Sequence, residues 1–188
     1  MIRKLFGILL ALCVVLIVIG FLLPTTVVVE RSRTIDQPAG VVFEVLGDLR
    51  HFSRWAPWLS RHPEMSWRLE GPSAGVGATL VWRETEAADE SRLRIVGVEP
   101  SRRIDMVLEL GDTEAESWFE LESVAAGQKV TWGMRIEFGP LDLVGRYVGL
   151  MLPGLVGSDY REGLERLEAY LARSPGQVPA LADESAAR

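Results

Sequence analysis

Residues 103–120 read RIDMVLELGDTEAESWFE, two alternating runs joined by Gly111-Asp112. With that dipeptide as a tight turn, Leu108 stands opposite Ala115, Met106 opposite Ser117 and Ile104 opposite Phe119, all on one side. Asp105, Val107 and Glu109 then meet Trp118, Glu116 and Glu114 on the other. The result is a hairpin with one apolar and one charged face, and a slip of one residue would exchange the two.

The flanking segments extend the same pattern. A turn at Gly127-Gln128 sets Leu121 opposite Met134 and Phe119 opposite Ile136 inside, with Glu120 opposite Arg135 outside. A turn at Pro100-Ser101 adds Leu93 and Ile95 to the inner face and puts Arg92 near Glu109 outside. Met65, Trp67 and Leu69, then Leu80 and Trp82, continue the apolar side. Residues 64–138 therefore predict an antiparallel meander. Ahead of it, Val27 to Ile35 reads as a strand and Ala39 to Leu46 as a helix, with Val42, Phe43 and Leu46 on one face. Asp48 to Leu59 is irregular and aromatic. After Phe138, Gly139-Pro140 breaks the sheet and Leu141 to Arg173 returns to helical spacing. Tyr160, Leu164, Leu167 and Leu171 make an apolar stripe there, and Pro153 and Gly154 predict a kink or a split. An apolar sheet face must be covered, and this helix is the cover.

The chain begins Met1-Ile2-Arg3-Lys4, after which Leu5 to Leu23 carries no charge. At about 1.5 Å rise per residue that run approaches the roughly 30 Å of a bilayer core. It is longer than a cleaved signal's apolar region and ends Phe21-Leu22-Leu23-Pro24 rather than in a small-x-small site. The reading is a single transmembrane anchor over residues 1–24, a domain over 25–173 and a disordered tail over 174–188. Arg3 and Lys4 place the N-terminus in the cytoplasm and the domain on the extracytoplasmic (periplasmic) side, with the membrane a partner through residues 5–23. Setting aside Arg3 and Lys4 among the 20 basic residues leaves 18 against 26 acidic, a net charge of −8. Nucleic acid is a poor partner for such a surface. The one cysteine, Cys13, lies in the apolar run, so no disulfide staples the domain.

The order strand, two short helices, six-strand meander and long C-terminal helix resembles the helix-grip fold of the SRPBCC, START and Bet v 1-like superfamily, in its polyketide cyclase-like branch. Residues 35–48, IDQPAGVVFEVLGD, resemble that group's strand-to-helix opening. Trp55-Ala56-Pro57-Trp58 resembles its tryptophan-proline segment, Gly75 to Thr79 its glycine-led third strand, and Gly157 with Gly163 to Leu167 its final helix. The resemblance covers residues 27–172. It implies an α+β fold whose curved sheet wraps the C-terminal helix around a cavity for a lipid, isoprenoid or polyketide-like molecule. No catalytic residue transfers, because those differ between branches.

Trp67, Trp82, Met106, Phe119, Trp132 and Met134 are candidate cavity residues, being large or adaptable side chains on the inner face. Trp55 and Trp58 are candidates for a gate at the mouth, beside His51, Arg54 and Arg61. In the plainer reading the first set fills a core and the second pins a loop. Trp118, placed outside by register, is either a membrane or partner contact or a cross-strand packing residue. Gly71-Pro72-Ser73-Ala74-Gly75 has the spacing of a nucleophile elbow, but strand-like residues follow it where a helix is required. His51 and His62, eleven residues apart, form no metal signature, and neither a metal nor a cofactor is expected. A base made of His51 and Asp48 lacks a supporting partner. Three functions remain open on this reading: a membrane-anchored binder of a hydrophobic small molecule, a cyclase or dehydratase using the same cavity, and a filled-core domain that contacts another membrane protein.

Overall fold

The computed structural model describes residues 2–62, 65–83, 85, 89–111 and 113–181. Helix α1 (Ile2–Leu22) precedes strand β1 (Thr26–Ile35), helix α2 (Ala39–Gly47) and two short helices, α3 (Phe52–Trp55) and α4 (Pro57–Arg61). The meander follows as β2 (Ser66–Glu70), β3 (Thr79–Arg83), β4 (Ser91–Glu99), β5 (Arg103–Leu110), β6 (Thr113–Val124) and β7 (Gly127–Glu137). Helices α5 (Leu143–Gly149) and α6 (Leu152–Leu171) come last. The strands form one antiparallel sheet in the order β1-β7-β6-β5-β4-β3-β2. With α6 laid on its apolar face, this is the expected α+β helix-grip architecture. The helical region after the sheet is split at Leu150-Met151, and Pro153 sits in the first turn of α6, where its missing N–H costs nothing.

Most registers follow the alternation. Leu108 faces Ala115, Met106 faces Ser117, Ile104 faces Phe119 and Asp105 faces Trp118; Asp112 of that turn lies outside the described residues. Arg92 faces Glu109 and Ile95 faces Met106, beyond which a bulge between Ile95 and Gly97 shifts the pairing. The β6–β7 hairpin differs from expectation. It turns at Ala125-Ala126, so Phe119 faces Trp132, Leu121 faces Val130, and Glu116 rather than Glu120 faces Arg135. Gly127 is needed for something other than the turn. Its φ is 118°, and a Cβ there would run into the Ile35 carbonyl, so only glycine lets β7 start this close to the end of β1. Moving the partner of Phe119 from Ile136 to Trp132 is an even displacement, which preserves both faces.

The N-terminal segment is helical, but among the described residues no helix is long and apolar enough to cross a membrane. The single-pass topology, with its cytoplasmic N-terminus and periplasmic domain, is overturned by that finding, and the transmembrane anchor over residues 5–23 loses its support. A spanning helix must offer about 20 residues to lipid. The last turns of α1 are bonded through backbone carbonyls to α5. Tyr147 of α5 donates its hydroxyl to the Leu16 carbonyl at 2.6 Å. Buried Arg146 donates to the carbonyls of Gly20, Phe21 and Leu23 at 3.3–3.4 Å, satisfying acceptors that the end of a helix leaves open. The apolar side chains of α1, Phe6, Leu10, Leu16 and Leu22 among them, are exposed.

At the other end of the chain, the Gly176 N–H donates to Gln37 Oε1 at 2.8 Å and Val178 packs against the core. Residues 182–188 of the expected tail lie outside the described residues.

Trp118 has a packing role on the outer face. Its ring lies flat over Gly133, where a Cβ would collide with it, and the Arg103 guanidinium sits 5.4 Å from the ring centroid. Only 7% of Trp118 is exposed, which favours cross-strand packing over a partner contact. Gly133→Ala is expected to destabilise the protein by about 1–3 kcal/mol through overpacking. The measurement is urea unfolding, and the loss should shrink when Trp118 is also replaced by leucine.

Candidate functional site

An aromatic wall crosses the space between sheet and helix. Trp132, projecting from β7, stacks on Tyr160 of α6 with centroids 4.0 Å apart and planes 7° from parallel. Its other neighbours are Phe119 at 5.1 Å, Trp55 at 5.4 Å, Trp58 at 5.7 Å and Phe52 at 6.2 Å. The close approach needs Gly163, because a Cβ there would meet the Trp132 ring at 2.7 Å. On one side of the wall the C-terminal half of α6 buries Leu164, Leu167 and Leu171 in a filled core.

On the other side lies a cavity of about 350 Å³. Leu152, Val156, Asp159 and Tyr160 form its roof from α6, and Trp58, Arg61 and His62 close one end. The floor is sheet: Trp82, Leu93, Leu108, Ala115, Ser117, Trp132, Met134 and Ile136. This volume falls within the roughly 300–1,000 Å³ of small-molecule pockets. The space under α6 is therefore not filled by side chains, contrary to the filled-core alternative.

Polar groups on this surface separate by depth. Arg61 and His62 are exposed, and Arg61 donates to Asp159 and Glu162 of α6, which ties α4 to α6 at the rim. Deep inside, Ser117 and Tyr160 are 3% and 5% exposed. Ser117 donates its hydroxyl to the Gly133 carbonyl at 3.0 Å. Burial pushes the Tyr160 phenol well above its ordinary pKa, and the neighbouring Ser117 hydroxyl offsets this only in part, so the group stays protonated.

Of the eight residues singled out from sequence, Trp58, Trp82, Trp132 and Met134 line this cavity. Trp55, Met106 and Phe119 are buried in the core instead, and Trp67 packs beside Trp82 on the neighbouring strand. Alternation identifies the inner face, but it does not say how far along that face the helix leaves a gap. Tyr160 was legible only as part of an apolar stripe; its position in that stripe carried no sign of a hydroxyl turned to the cavity. Gly71 to Ala78 is a loop in which Gly71, Gly75 and Gly77 have positive φ, with no helix after Ser73.

His51 stands outside the cavity. Its Nδ1 is 2.7 Å from the Tyr170 hydroxyl, and the residue is buried. Burial lowers its pKa below the ordinary value of about 6.5, against the attraction of the Asp48 carboxylate. Burial also works against that carboxylate, but hydrogen bonds from the Arg50 side chain and backbone outweigh it and hold Asp48 below the usual carboxylate range. The Asp48 side chain is thus committed to Arg50, which leaves His51 without an orienting carboxylate.

An antiparallel sheet gripping a long C-terminal helix, with an apolar cavity between them, defines the helix-grip class. The chain belongs to the polyketide cyclase / dehydrase and lipid transport family, which matches residues 26–172. No curated protein matches the sequence. Among solved structures, a protein of Thermobifida fusca is 21% identical with a TM-score of 0.60, over 82% of this chain and 99% of that one. The di-domain ARO/CYC StfQ of the steffimycin biosynthetic pathway is 11% identical with a TM-score of 0.61, over 79% and 51%. The Aha1 dimer of Colwellia psychrerythraea is 14% identical with a TM-score of 0.54, over 77% and 96%. At these identities the likenesses establish the fold alone. The family's description spans cyclisation, dehydration and lipid transport, and the cavity is compatible with hydrophobic ligand binding or with cyclase activity.

The lowered pKa of His51 gives the fold a pH dependence of definite sign. The folded state resists a proton that the unfolded state accepts, so stability is full above about pH 6.5 and falls as pH drops from there through the folded pKa. Urea midpoints measured between pH 7.5 and pH 5 should decline, and His51→Phe should flatten that decline even though it removes the bond to Tyr170.

Proposed function

We propose that this domain binds a hydrophobic small molecule, of lipid, isoprenoid or polyketide-like character, in the cavity between the sheet and α6. The observation that carries the reading is the 350 Å³ void walled by Trp58, Trp82, Trp132 and Met134 and roofed by Leu152 and Val156. A cleft of this volume with a largely apolar lining is the usual form of a small-molecule site. Binding is favoured over cyclisation or dehydration by the chemistry of the wall. Its deep hydroxyls are Ser117, already donating to Gly133, and Tyr160, held as a phenol. Neither is a ready base; the ionisable groups of the lining, Asp159, paired with Arg61, and His62, stand at the exposed rim, and His51 is bonded to Tyr170 elsewhere.

Native mass spectrometry of the full chain extracted from its own host is expected to show a co-purifying apolar species. A quantitative test uses N-phenyl-1-naphthylamine, whose fluorescence rises in apolar sites. Val156→Trp fills the roof, so it should weaken binding of this probe at least tenfold while leaving the melting temperature within a few degrees. Equal affinity in the variant would contradict the assignment of the cavity as the binding site.

A further inference from the structure

One end of the molecule presents almost nothing but aliphatic surface. Leu141 and, on α5, Val144 and Val148 are exposed there, followed by Leu150 and Met151 in the link to α6 and Leu155 in its first turn, each of them 48–82% exposed. The polar side chains of the same stretch, residues 139–158, are all committed within the chain. Asp142 accepts the Gly145 N–H at the start of α5, buried Arg146 and Tyr147 donate to carbonyls of α1, and the Ser158 hydroxyl donates back to the Leu155 carbonyl. Those bonds bring the end of α1 to the same place, where it adds the exposed, uncharged Phe21 and Leu22. Globular proteins seldom leave contiguous apolar surface of more than a few hundred Å² without using it.

A protein partner and a lipid surface ask different things of such a face. The centre of a protein interface draws on Tyr, Trp and Arg, set within a rim of polar groups that bond across it. Here the six side chains are Leu, Val and Met, and the neighbouring polar groups are turned to their own backbone. A hydrocarbon layer offers no hydrogen bonds and favours Leu and Val. Position adds an independent reason. Leu152 and Val156, which roof the cavity, belong to the same turns of α6 as Met151 and Leu155. A face lying on lipid therefore holds the cavity beside the phase in which an apolar ligand dissolves. Charge sets the kind of lipid, because a chain of net charge −6 is not drawn to anionic headgroups.

We propose that the face made by α5, its link to α6 and the first turn of α6 docks on a lipid surface, with Leu150, Met151 and Leu155 entering the headgroup–acyl boundary and no helix crossing the layer. The choice of lipid draws in part on the binding function proposed above. The two claims fail separately, because the naphthylamine probe reads the cavity and the test of docking reads the outer face.

The test places the polarity-sensitive fluorophore NBD at one site in the full chain. Cys13→Ser with Met151→Cys puts it on the face, and Cys13→Ser with Ala125→Cys puts it at the β6–β7 turn, the far end of β7 from α5. Phosphatidylcholine vesicles should raise the emission at residue 151 about twofold or more and leave residue 125 unchanged, and high salt should not reverse the rise. Val144→Asp with Leu155→Asp alters positions 76% and 60% exposed, so the fold should survive while vesicle affinity falls about tenfold. No change at residue 151 would overturn the proposal, as would equal changes at both sites or an affinity untouched by the two aspartates. A rise at residue 151 that grows with protein concentration before lipid is added would place a second copy on this face and contradict the lipid assignment. Docking without naphthylamine binding would leave this proposal standing and remove the cavity function.

Discussion

The stack of Trp132 on Tyr160 fixes where the long helix can lie on the sheet. The ring reaches across the interface from the second strand in, and Gly163 is the notch that lets α6 settle against it. C-terminal to that point the leucine stripe is buried against the sheet, chiefly on β1. N-terminal to it the helix carries Leu152 and Val156, side chains too short to reach the floor. One aromatic contact thus serves as a fulcrum, with dense packing on one side of it and a void on the other. Aromatic pairs of this kind contribute about 0.5–1.5 kcal/mol each beyond the area they bury, and Trp132 takes part in five.

The ends of α6 are held by charge as well. Arg33 of β1 bonds to Glu168, Arg31 lies over Gly157 and donates to the Pro153 carbonyl, and Arg61 reaches Asp159 from α4. Each exposed pair is worth little alone, but together they attach the helix along its length to β1 and α4.

Much of this was legible in the sequence for a physical reason. Strand alternation has a period of two, so a partner displaced by an even number of residues still presents the correct face, as the β6–β7 hairpin shows. The registers of β5 with β6 and of β4 with β5 could be read from the residues of their turns. Depth along the face could not. Trp132 and Phe119 are neighbours on the same face, yet one lines the cavity and the other is sealed in the core, because the difference lies in where α6 touches down. Tyr160 sits in a helical stripe whose period marks it as buried and says nothing about its hydroxyl. The apolar N-terminal run was misread for a related reason. Hydropathy registers its side chains, whereas its position is set by Arg146 and Tyr147, which come from a helix more than a hundred residues later and bond to its backbone.

The account depends on α6 standing off the sheet ahead of the Trp132–Tyr160 contact. A high-resolution crystal structure of the full chain tests this most directly. It should show a void of about 350 Å³ bounded by Trp132, Leu108 and Val156 and holding solvent or an apolar molecule. Leu152 and Val156 packed directly onto Leu93 and Leu108, with no space between them, would contradict it.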